Sequence, residues 1–388
     1  MIFKSKRIFL TLFFIISCET GQAQLKPSPQ IIPDDNFPIE EVYPEVASII
    51  KPESETKWVS ISEKIKFKIE PKFLQIESFQ DKLAFAKIQE KKNTKDGYID
   101  GDGNFQILTN YDYPNFSFNF GLAKIVKNNK KGFIDKKGKI IIPIQFEDAG
   151  DFLDPITWFK QNGKYGFIDL DGKIIIPAKY DYAENFANEL GLVSINNKYG
   201  FIDKKGNIKI KLEYEKANSF SEGVASVKQK GKYFFITESG RVSIKGKFDL
   251  AGSFYSGLAR VKKEGKFGYI NKKGNWVLSP ILDEVYHDAY NFKEGRSVFI
   301  KDGKYGYLDL NGKEIIPAKF DFADSFNDGL AVVEINQKVG YINRFGEFVI
   351  KPEFENGETI SEGMIIIKKN GLFGAIKLED IATEVKVK

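Results

Sequence analysis

Hydrophobic and polar positions along the chain follow a pattern that returns about every 34 residues. A unit contains an alternating segment such as GLAVVEI (329–335), a second such as KYGFID (164–169), and an apolar run such as KIIIP (173–177). Alternation with period two is typical of half-buried β-strands, and a continuous β-branched run closed by proline predicts a strand buried on both faces. Each unit is therefore predicted to be a three-stranded antiparallel meander. The link that follows, AKYDYAENF (178–186), can add a short fourth strand.

Three markers keep this spacing, which makes the repeat specific. The first is a glycine before an aromatic–Ile–Asp triplet, replaced once by Phe234, at Gly97, Gly132, Gly166, Gly200, Gly268, Gly306, Gly340 and Gly374. The turn glycines, from Gly103 to Gly346, and the alanines of a D-x-A-x-x-F segment, from Ala149 to Ala323, keep the same period. Together they define nine clear units. A degenerate unit at 64–88, aligned on Pro71, precedes them.

One meander cannot bury its own apolar faces, so successive units must stack. The prediction is an all-β fold of tandem antiparallel meander repeats of about 34 residues, arranged as a propeller-like ring or spiral. An open β-solenoid or superhelix is the alternative. Gly166 is expected where a neighbouring aromatic ring or backbone leaves no room for a Cβ.

The candidate catalytic and metal-binding residues have simpler explanations. Asp recurs at the start of the turns, at Asp100, Asp135, Asp169, Asp203 and Asp309, where it can cap the turn backbone. No stretch has the ligand spacing of a calcium loop. A single histidine and a single cysteine exclude a multi-histidine metal site and leave little for nucleophilic catalysis. The sequence thus predicts no enzyme activity, no metal and no cofactor.

The N-terminus has the pattern of an export signal. Basic residues in MIFKSKR precede the short apolar core IFLTLFFII, and the only cysteine, Cys18, follows. This resembles a bacterial lipobox, so we expect residues 1–17 to be a lipoprotein signal peptide and Cys18 to be lipidated. A plain signal peptide, giving a secreted or periplasmic soluble protein, is the alternative. Residues 18–57 follow as a Pro-rich acidic tether, 58–378 as the repeat array and 379–388 as a tail.

The formal net charge is +5, and the basic signal region contributes part of it. The remaining lysines and acids are interspersed, a pattern that gives no sign of nucleic-acid binding.

One unit is longer than the others, with extra residues in NWVLSPILDEVYHDAYNF (275–292). Insertions in repeat proteins often map to loops on the binding face. Trp276, Tyr286, His287 and Tyr290 are therefore candidate binding residues. A tolerated loop insertion with Trp276 in the core is the simpler explanation.

Segments such as FSEGVASVKQKGKYFFIT and FNDGLAVVEINQKVGYINRFGEFVIKPEF resemble the WG-repeat (KWG) family over about 60–377. The Trp of the family name is mostly Tyr or Phe here, as at Tyr165 and Phe267. The resemblance implies a β-repeat scaffold with no established catalytic residues. Such repeats are common in bacterial envelope and cytoplasmic proteins and abundant in Leptospira, so with the lipobox we expect a bacterial, Leptospira-like lipoprotein.

Three functions follow from these observations. The first is a cell-envelope lipoprotein, on the outer membrane at its periplasmic or surface face, whose repeats bind an unknown protein partner. The second is an envelope protein that binds a glycan. A polysaccharide hydrolase is the least supported, because it would need two paired acids in a pocket.

Overall fold

The computed structural model describes residues 66–112, 117–187, 189–282 and 292–381. Nine repeat units follow one another along these residues. The strands of units 1 to 5 are β1 (Ile69–Ile76), β2 (Ala84–Glu90), β3 (Asn93–Ile99), β4 (Phe105–Leu108); β5 (Phe118–Asn119), β6 (Leu122–Lys127), β7 (Lys130–Asp135), β8 (Ile140–Phe146); β9 (Asp148–Ala149), β10 (Ile156–Gln161), β11 (Lys164–Asp169), β12 (Ile174–Tyr180); β13 (Tyr182–Ala187), β14 (Leu190–Ile195), β15 (Lys198–Ile202), β16 (Ile208–Tyr214); and β17 (Lys216–Ala217), β18 (Val224–Gln229), β19 (Lys232–Thr237), β20 (Val242–Phe248). Those of units 6 to 9 are β21 (Leu250–Tyr255), β22 (Leu258–Lys263), β23 (Lys266–Asn271), β24 (Trp276–Leu282); β25 (Arg296–Lys301), β26 (Lys304–Asp309), β27 (Glu314–Phe320); β28 (Phe322–Ala323), β29 (Leu330–Ile335), β30 (Lys338–Asn343), β31 (Phe348–Phe354); and β32 (Asn356–Gly357), β33 (Met364–Lys369), β34 (Leu372–Lys377).

Each unit is an antiparallel sheet whose strands lie in chain order, as the pattern predicted. Units 2 to 6 and unit 8 have four strands each, and three strands of unit 7 are described. The link does add the fourth strand: β13 pairs with β14 at Tyr182↔Ser194. The third strand of the predicted meander lies at the opposite edge of the sheet.

The middle strands of each sheet are covered on both faces by the neighbouring sheets. Phe167 of unit 3 packs against Phe186 of unit 4, with ring centroids 4.9 Å apart. The next residue, Ile168, points the other way into a cluster with Ile142 of unit 2. Alternation along one strand thus holds together three consecutive units.

Gly166 lies where the prediction placed it. A Cβ on this residue would be 2.5 Å from the Ile176 carbonyl oxygen and 2.8 Å from Cε1 of Phe159, so no side chain fits. In unit 5, where Phe234 replaces this glycine, a glycine appears instead on the facing strand at Gly246. The two strands can therefore still approach closely, because the glycine lies on β20 here and on the facing strand in the other units.

The prediction that KIIIP is buried on both faces is wrong. Ile174 is 50% exposed, and β12 continues through the exposed Pro177 to Tyr180. The strand lies at the sheet edge, where the missing proline N–H needs no partner. A register shift between Phe167 and Ile168 re-aims the first residues after the turn, so the apolar run does not all face the core.

The first and last units are joined through β1. Its first half pairs with β34 at Ile69↔Ala375, and its second half pairs with β2 at Ile76↔Ala86. The backbone of Ile69 and Pro71 lies close to Gly374, just as the backbone of the outer strand lies close to the equivalent glycine in other units. The segment that we aligned on Pro71 as a degenerate first unit thus supplies the outer strand of unit 9.

The described units form a closed circuit. Each pair of neighbouring units shares a core cluster, including units 9 and 1, where Met364 and Ile366 pack with Ile76 and Ala84. This arrangement is a propeller-like ring of meanders, and it favours the ring over the open solenoid. The contact between units 9 and 1 is called the seam below.

Two sets of carboxylates hold the turns. Asp169 accepts N–H bonds from Asp171 (3.1 Å) and Lys173 (2.9 Å), and the same capping at the other recurrent turn Asp residues confirms their predicted role.

The second set of carboxylates was not predicted. Asp321, in the link, accepts the N–H of Asn336 in the hairpin between the second and third strands of its unit (2.6 Å). A hydrogen bond from Lys304, helped by that of Asn336, lowers the pKa of Asp321.

The predicted tail begins inside the fold. A helical turn at 378–381 follows β34, and Ile381 is buried in the cluster of units 8 and 9. No described helical segment has the length and apolar character needed to cross a membrane.

Candidate functional site

The loops between the first and second strands of each unit form a continuous rim. An acidic residue in one loop accepts the N–H of the next loop: Asp81 from Gly121 (2.8 Å), Glu222 from Gly257 (3.0 Å) and Glu294 from Gly329 (3.0 Å). These bonds run from unit to unit, so they fix the spacing of the loops. We call this set of loops the loop rim.

The rim continues across the seam. Glu362 of unit 9 accepts the N–H of Lys82 in unit 1 (2.8 Å), and Gln80 donates to Ser361 (3.3 Å). Ser361 also donates to the Phe79 carbonyl. The seam is therefore held by side-chain contacts in addition to the β1–β34 pairing.

A cavity of about 450 Å³ lies in the rim beside the seam. Its lining comes from four consecutive units, with Lys293 from unit 7, Asn327 from unit 8, Thr359 from unit 9 and Gln80 from unit 1 among its residues. Most of the lining groups are hydroxyls, amides and charges. We call this cavity the seam pocket; its lining is completed by Ser78, Asp324, Ser325, Ile360, Ser361 and Glu362.

Glu358 stands next to this lining and has an unusual environment. It accepts a hydrogen bond from Ser78 across the seam (3.2 Å). Burial raises the pKa of Glu358 to about 7, and the charge of Glu77 acts in the same direction. The seam thus contains a carboxyl group that changes charge near neutral pH.

A second candidate surface lies along the edge strands of units 2 to 5, which are not among the units that line the seam pocket. The first residue of each edge strand is aliphatic and about half exposed: Ile140 (46%), Ile174 (50%), Ile208 (60%) and Val242 (50%). These are equivalent positions in four consecutive units, so an exposed aliphatic side chain recurs at the same place on each edge strand.

The same edge segments are strongly basic. Over 139–146, 173–180, 207–214 and 241–248 they carry one acid, Glu213, and eight basic residues: Lys139, Lys173, Lys179, Lys209, Lys211, Arg241, Lys245 and Lys247. All eight are exposed, although Lys209 pairs with Asp203 at 3.4 Å. We call the four aliphatic and eight basic side chains the basic–apolar belt.

The belt ends where the sequence changes. In unit 6 the equivalent residue, Trp276, is half-buried and packs edge to face on Phe248, with centroids 6.1 Å apart. In unit 7 it is Glu314, and in unit 8 it is the partly buried Phe348. The series of exposed aliphatic residues is therefore confined to units 2 to 5.

The predicted insertion site is only partly described. Trp276 packs against the core between units 5 and 6, while Tyr286, His287 and Tyr290 lie outside the described residues, as does Cys18. Their binding and lipidation roles stay predictions. Within the described ranges, no three His, Cys, Asp or Glu side chains are placed to share a metal ion.

Neither surface was predicted from the sequence. A signal for the belt was present, because the position after each turn Lys, Asn or Arg is aliphatic in four consecutive units and the following residues are basic. The seam pocket had no such signal, because its residues are far apart in sequence and only ring closure brings Ser78 and Gln80 to Thr359.

The fold and its surfaces define a β-repeat protein of the propeller-like class, built from short four-stranded meanders. The family profile described as WG containing repeat matches residues 132–165, 165–199, 199–233, 233–267, 267–305, 305–338 and 340–373. These stretches cover more than half of the chain, which therefore belongs to the WG-repeat family.

Solved structures with a similar course of the chain are distant. A eukaryotic initiation factor shares 11% identity at a TM-score of 0.49, covering 74% of this chain and 89% of its own. The WD40 domain of SCAP from fission yeast shares 8% identity at a TM-score of 0.34, covering 82% and 99%. The dihydro-heme d1 dehydrogenase NirN shares 12% identity at a TM-score of 0.39, covering 86% and 84%. No curated protein matches the chain.

Proposed function

We propose that this protein is a non-enzymatic interaction scaffold that binds a protein partner along the basic–apolar belt. The observation that carries the proposal is the series of four half-exposed aliphatic residues on consecutive edge strands, within a set of eight basic side chains. Apolar area supplies affinity and charge supplies orientation and rate in protein association.

The belt's charge defines the partner. Edge segments that carry eight basic residues and one acid attract an acidic surface, so we expect the partner to present apolar side chains flanked by Asp and Glu. A second copy of the chain would bring two basic belts together, which is repulsive. Nucleic acid would use the lysines but gains little from exposed Ile and Val.

The location of the scaffold is also part of the proposal. The basic, apolar and cysteine pattern of the N-terminus supports export and lipidation at Cys18, which would anchor the ring to the cell envelope through the tether at 18–57. The anchor would hold the belt near an envelope partner.

The test is chemical crosslinking in the source cells, followed by isolation of the full-length protein and mass spectrometry. The belt variant replaces Ile140, Ile174, Ile208 and Val242 by Ser. The matched control is Leu153→Ser, since Leu153 is 66% exposed and lies outside the belt. Both are surface changes, so thermal unfolding should differ little from that of the wild type.

A partner with an acidic surface should be recovered with the wild type and with Leu153→Ser, and about tenfold less with the belt variant. Equal recovery with the belt variant would overturn the proposal. Binding of the wild type to phosphatidylglycerol vesicles, lost in the belt variant and without any protein partner, would assign the belt to a membrane surface instead. In the same cells, Cys18→Ala should move the protein out of the membrane fraction; unchanged retention would rule out the lipid anchor.

A further inference from the structure

The seam pocket has the size and lining of a site for a small polar molecule. Its volume of about 450 Å³ falls within the usual range of ligand sites, about 300–1,000 Å³. Hydroxyl and amide groups of Ser78, Gln80, Asn327 and Thr359 line it, and Ile360 is its only aliphatic residue. Such a lining offers both donors and acceptors, as a polyhydroxylated ligand requires.

The pocket is built at a position of the repeat that varies between units. The residue after the buried loop residue, which is Phe in units 7, 8 and 1 and Ile360 in unit 9, is Lys293, Asn327, Gln80 and Ser361 respectively, and all four line the pocket. In units 3, 4 and 6 the same position holds Leu153, Ala187 and Tyr255, whereas units 2 and 5 hold Asn119 and Ser221. The fold therefore does not require a polar residue here, and units 7, 8, 9 and 1 are four consecutive units that each hold one.

Hydrogen bonds between neighbouring loops hold polar side chains of the pocket in defined orientations. Asn327 uses its amide N–H to bind the Ile360 carbonyl (2.6 Å), which directs its amide group within the lining. Gln80 is oriented by its bond to Ser361 (3.3 Å). Side chains fixed by neighbouring loops lose little entropy when a ligand binds.

The charges around the pocket are mostly negative. Asp324 and Glu362 line it, and Lys293 is the basic residue of the lining. An anionic ligand such as a uronic acid or a phosphate would be repelled. A ligand with hydroxyl groups and an amine would pair with the carboxylates.

We propose that the seam pocket binds a saccharide unit that is neutral or carries an amino group, with hydroxyls held by Asn327, Thr359 and Gln80. The site is separate from the basic–apolar belt, so the scaffold could hold a glycan on one arc and a protein on the other. Its existence does not depend on the belt having a partner.

The experiment is saturation-transfer NMR and calorimetry on the full-length protein with three probes: D-glucosamine, D-glucose and D-glucuronate. We expect binding in that order, with glucuronate weakest. Two variants locate the site. Thr359→Val removes a lining hydroxyl at constant volume, and should weaken glucosamine by about tenfold. Lys293→Glu changes an exposed residue without risk to the core, and should increase the preference for glucosamine over glucuronate.

The control is Asn119→Leu, which lies at the same repeat position as Asn327 but in unit 2, outside the pocket. It should bind all three probes like the wild type. The proposal is overturned if none of the probes binds, if glucuronate binds best, or if Lys293→Glu and Thr359→Val bind as the wild type does. A parallel loss in Asn119→Leu would also overturn it, because the effect would then not belong to the pocket.

Discussion

Units 2 to 5 and the arc formed by units 7, 8, 9 and 1 share one backbone plan but present different surfaces. The edge strands of units 2 to 5 expose Ile174 and its equivalents among basic residues. On the other arc, Glu314 and the partly buried Phe348 replace them, and the edge segments of units 7 and 8 carry three lysines and three acids. There the distinctive feature is the polar seam pocket.

The difference separates two kinds of repeat position. Residues such as Gly166, Phe167 and Asp169 recur in most units because packing and turn geometry favour them. The residues equivalent to Ile174 on the edge and Asn327 on the rim are free to vary, and variation at them produces the two surfaces. In a repeat protein, candidate functional residues are therefore those at positions where the backbone is the same from unit to unit but the residue type differs.

The largest expected effect is the loss of stability when a large buried side chain is removed, and it can be compared between the seam and an ordinary unit. Phe73 is fully buried and belongs to the strand that joins units 9 and 1; Tyr180 has the equivalent position in unit 3. Phe73→Ala and Tyr180→Ala should each lower the free energy of unfolding by about 3–5 kcal/mol, as large cavities do. Urea unfolding measures this.

Hydrogen exchange then separates the two variants. Phe73→Ala should lose protection in both β2 and β34, because Phe73 is paired with strands of two units, whereas Tyr180→Ala should lose it around β11. The same pattern of lost protection in both variants would mean that the seam is no different from any other interface.

A smaller effect is expected at Gly166. Gly166→Val forces a side chain against the Ile176 carbonyl and the Phe159 ring, which should lower the free energy of unfolding by about 1–3 kcal/mol or more. Gly101→Val is the control, because a Cβ there meets nothing within 4 Å. Equal melting temperatures for the two variants would show that the close approach does not constrain the unit.

The smallest effect is a pH dependence located at the seam. The folded-state pKa of Glu358, raised to about 7, exceeds the value of about 4.3 expected in the unfolded chain. Between these values the folded protein binds more protons, so this group makes stability fall as pH rises and contributes no further change above the folded pKa. Glu358→Gln should remove that part of the slope between pH 5 and 8.

The matched control for this prediction is Glu184→Gln, at the same repeat position in unit 4, which should keep the wild-type pH dependence. Urea unfolding at several pH values gives the measurement. A slope that survives in Glu358→Gln would assign it to another group.

The fold class was predictable because its determinants are local. Alternation, the turn Asp–Gly pairs and Gly166 all act within one unit, so the sequence contains them directly. The role of β1 was not, because Pro71 fits the repeat equally well as the start of a first unit or the end of a last one. Only the pairing of Ile69 with Ala375 decides between these possibilities.

The surfaces were harder to predict for a related reason. Ile174 lies in a continuous apolar run, and such a run does not tell an edge strand from a buried one. The insertion at 275–292 made Trp276 a candidate binding residue, but its ring packs on Phe248. The pocket depends on contacts between residues about 280 positions apart, such as Ser78 and Glu358, which periodicity cannot show.

The most direct test of the account is hydrogen exchange on the full-length protein with and without the protein recovered by crosslinking. The partner should increase protection in the edge strands β8, β12, β16 and β20, and leave the loops at 78–82 and 359–362 unchanged. Protection confined to those loops, with the edge strands unaffected, would contradict it.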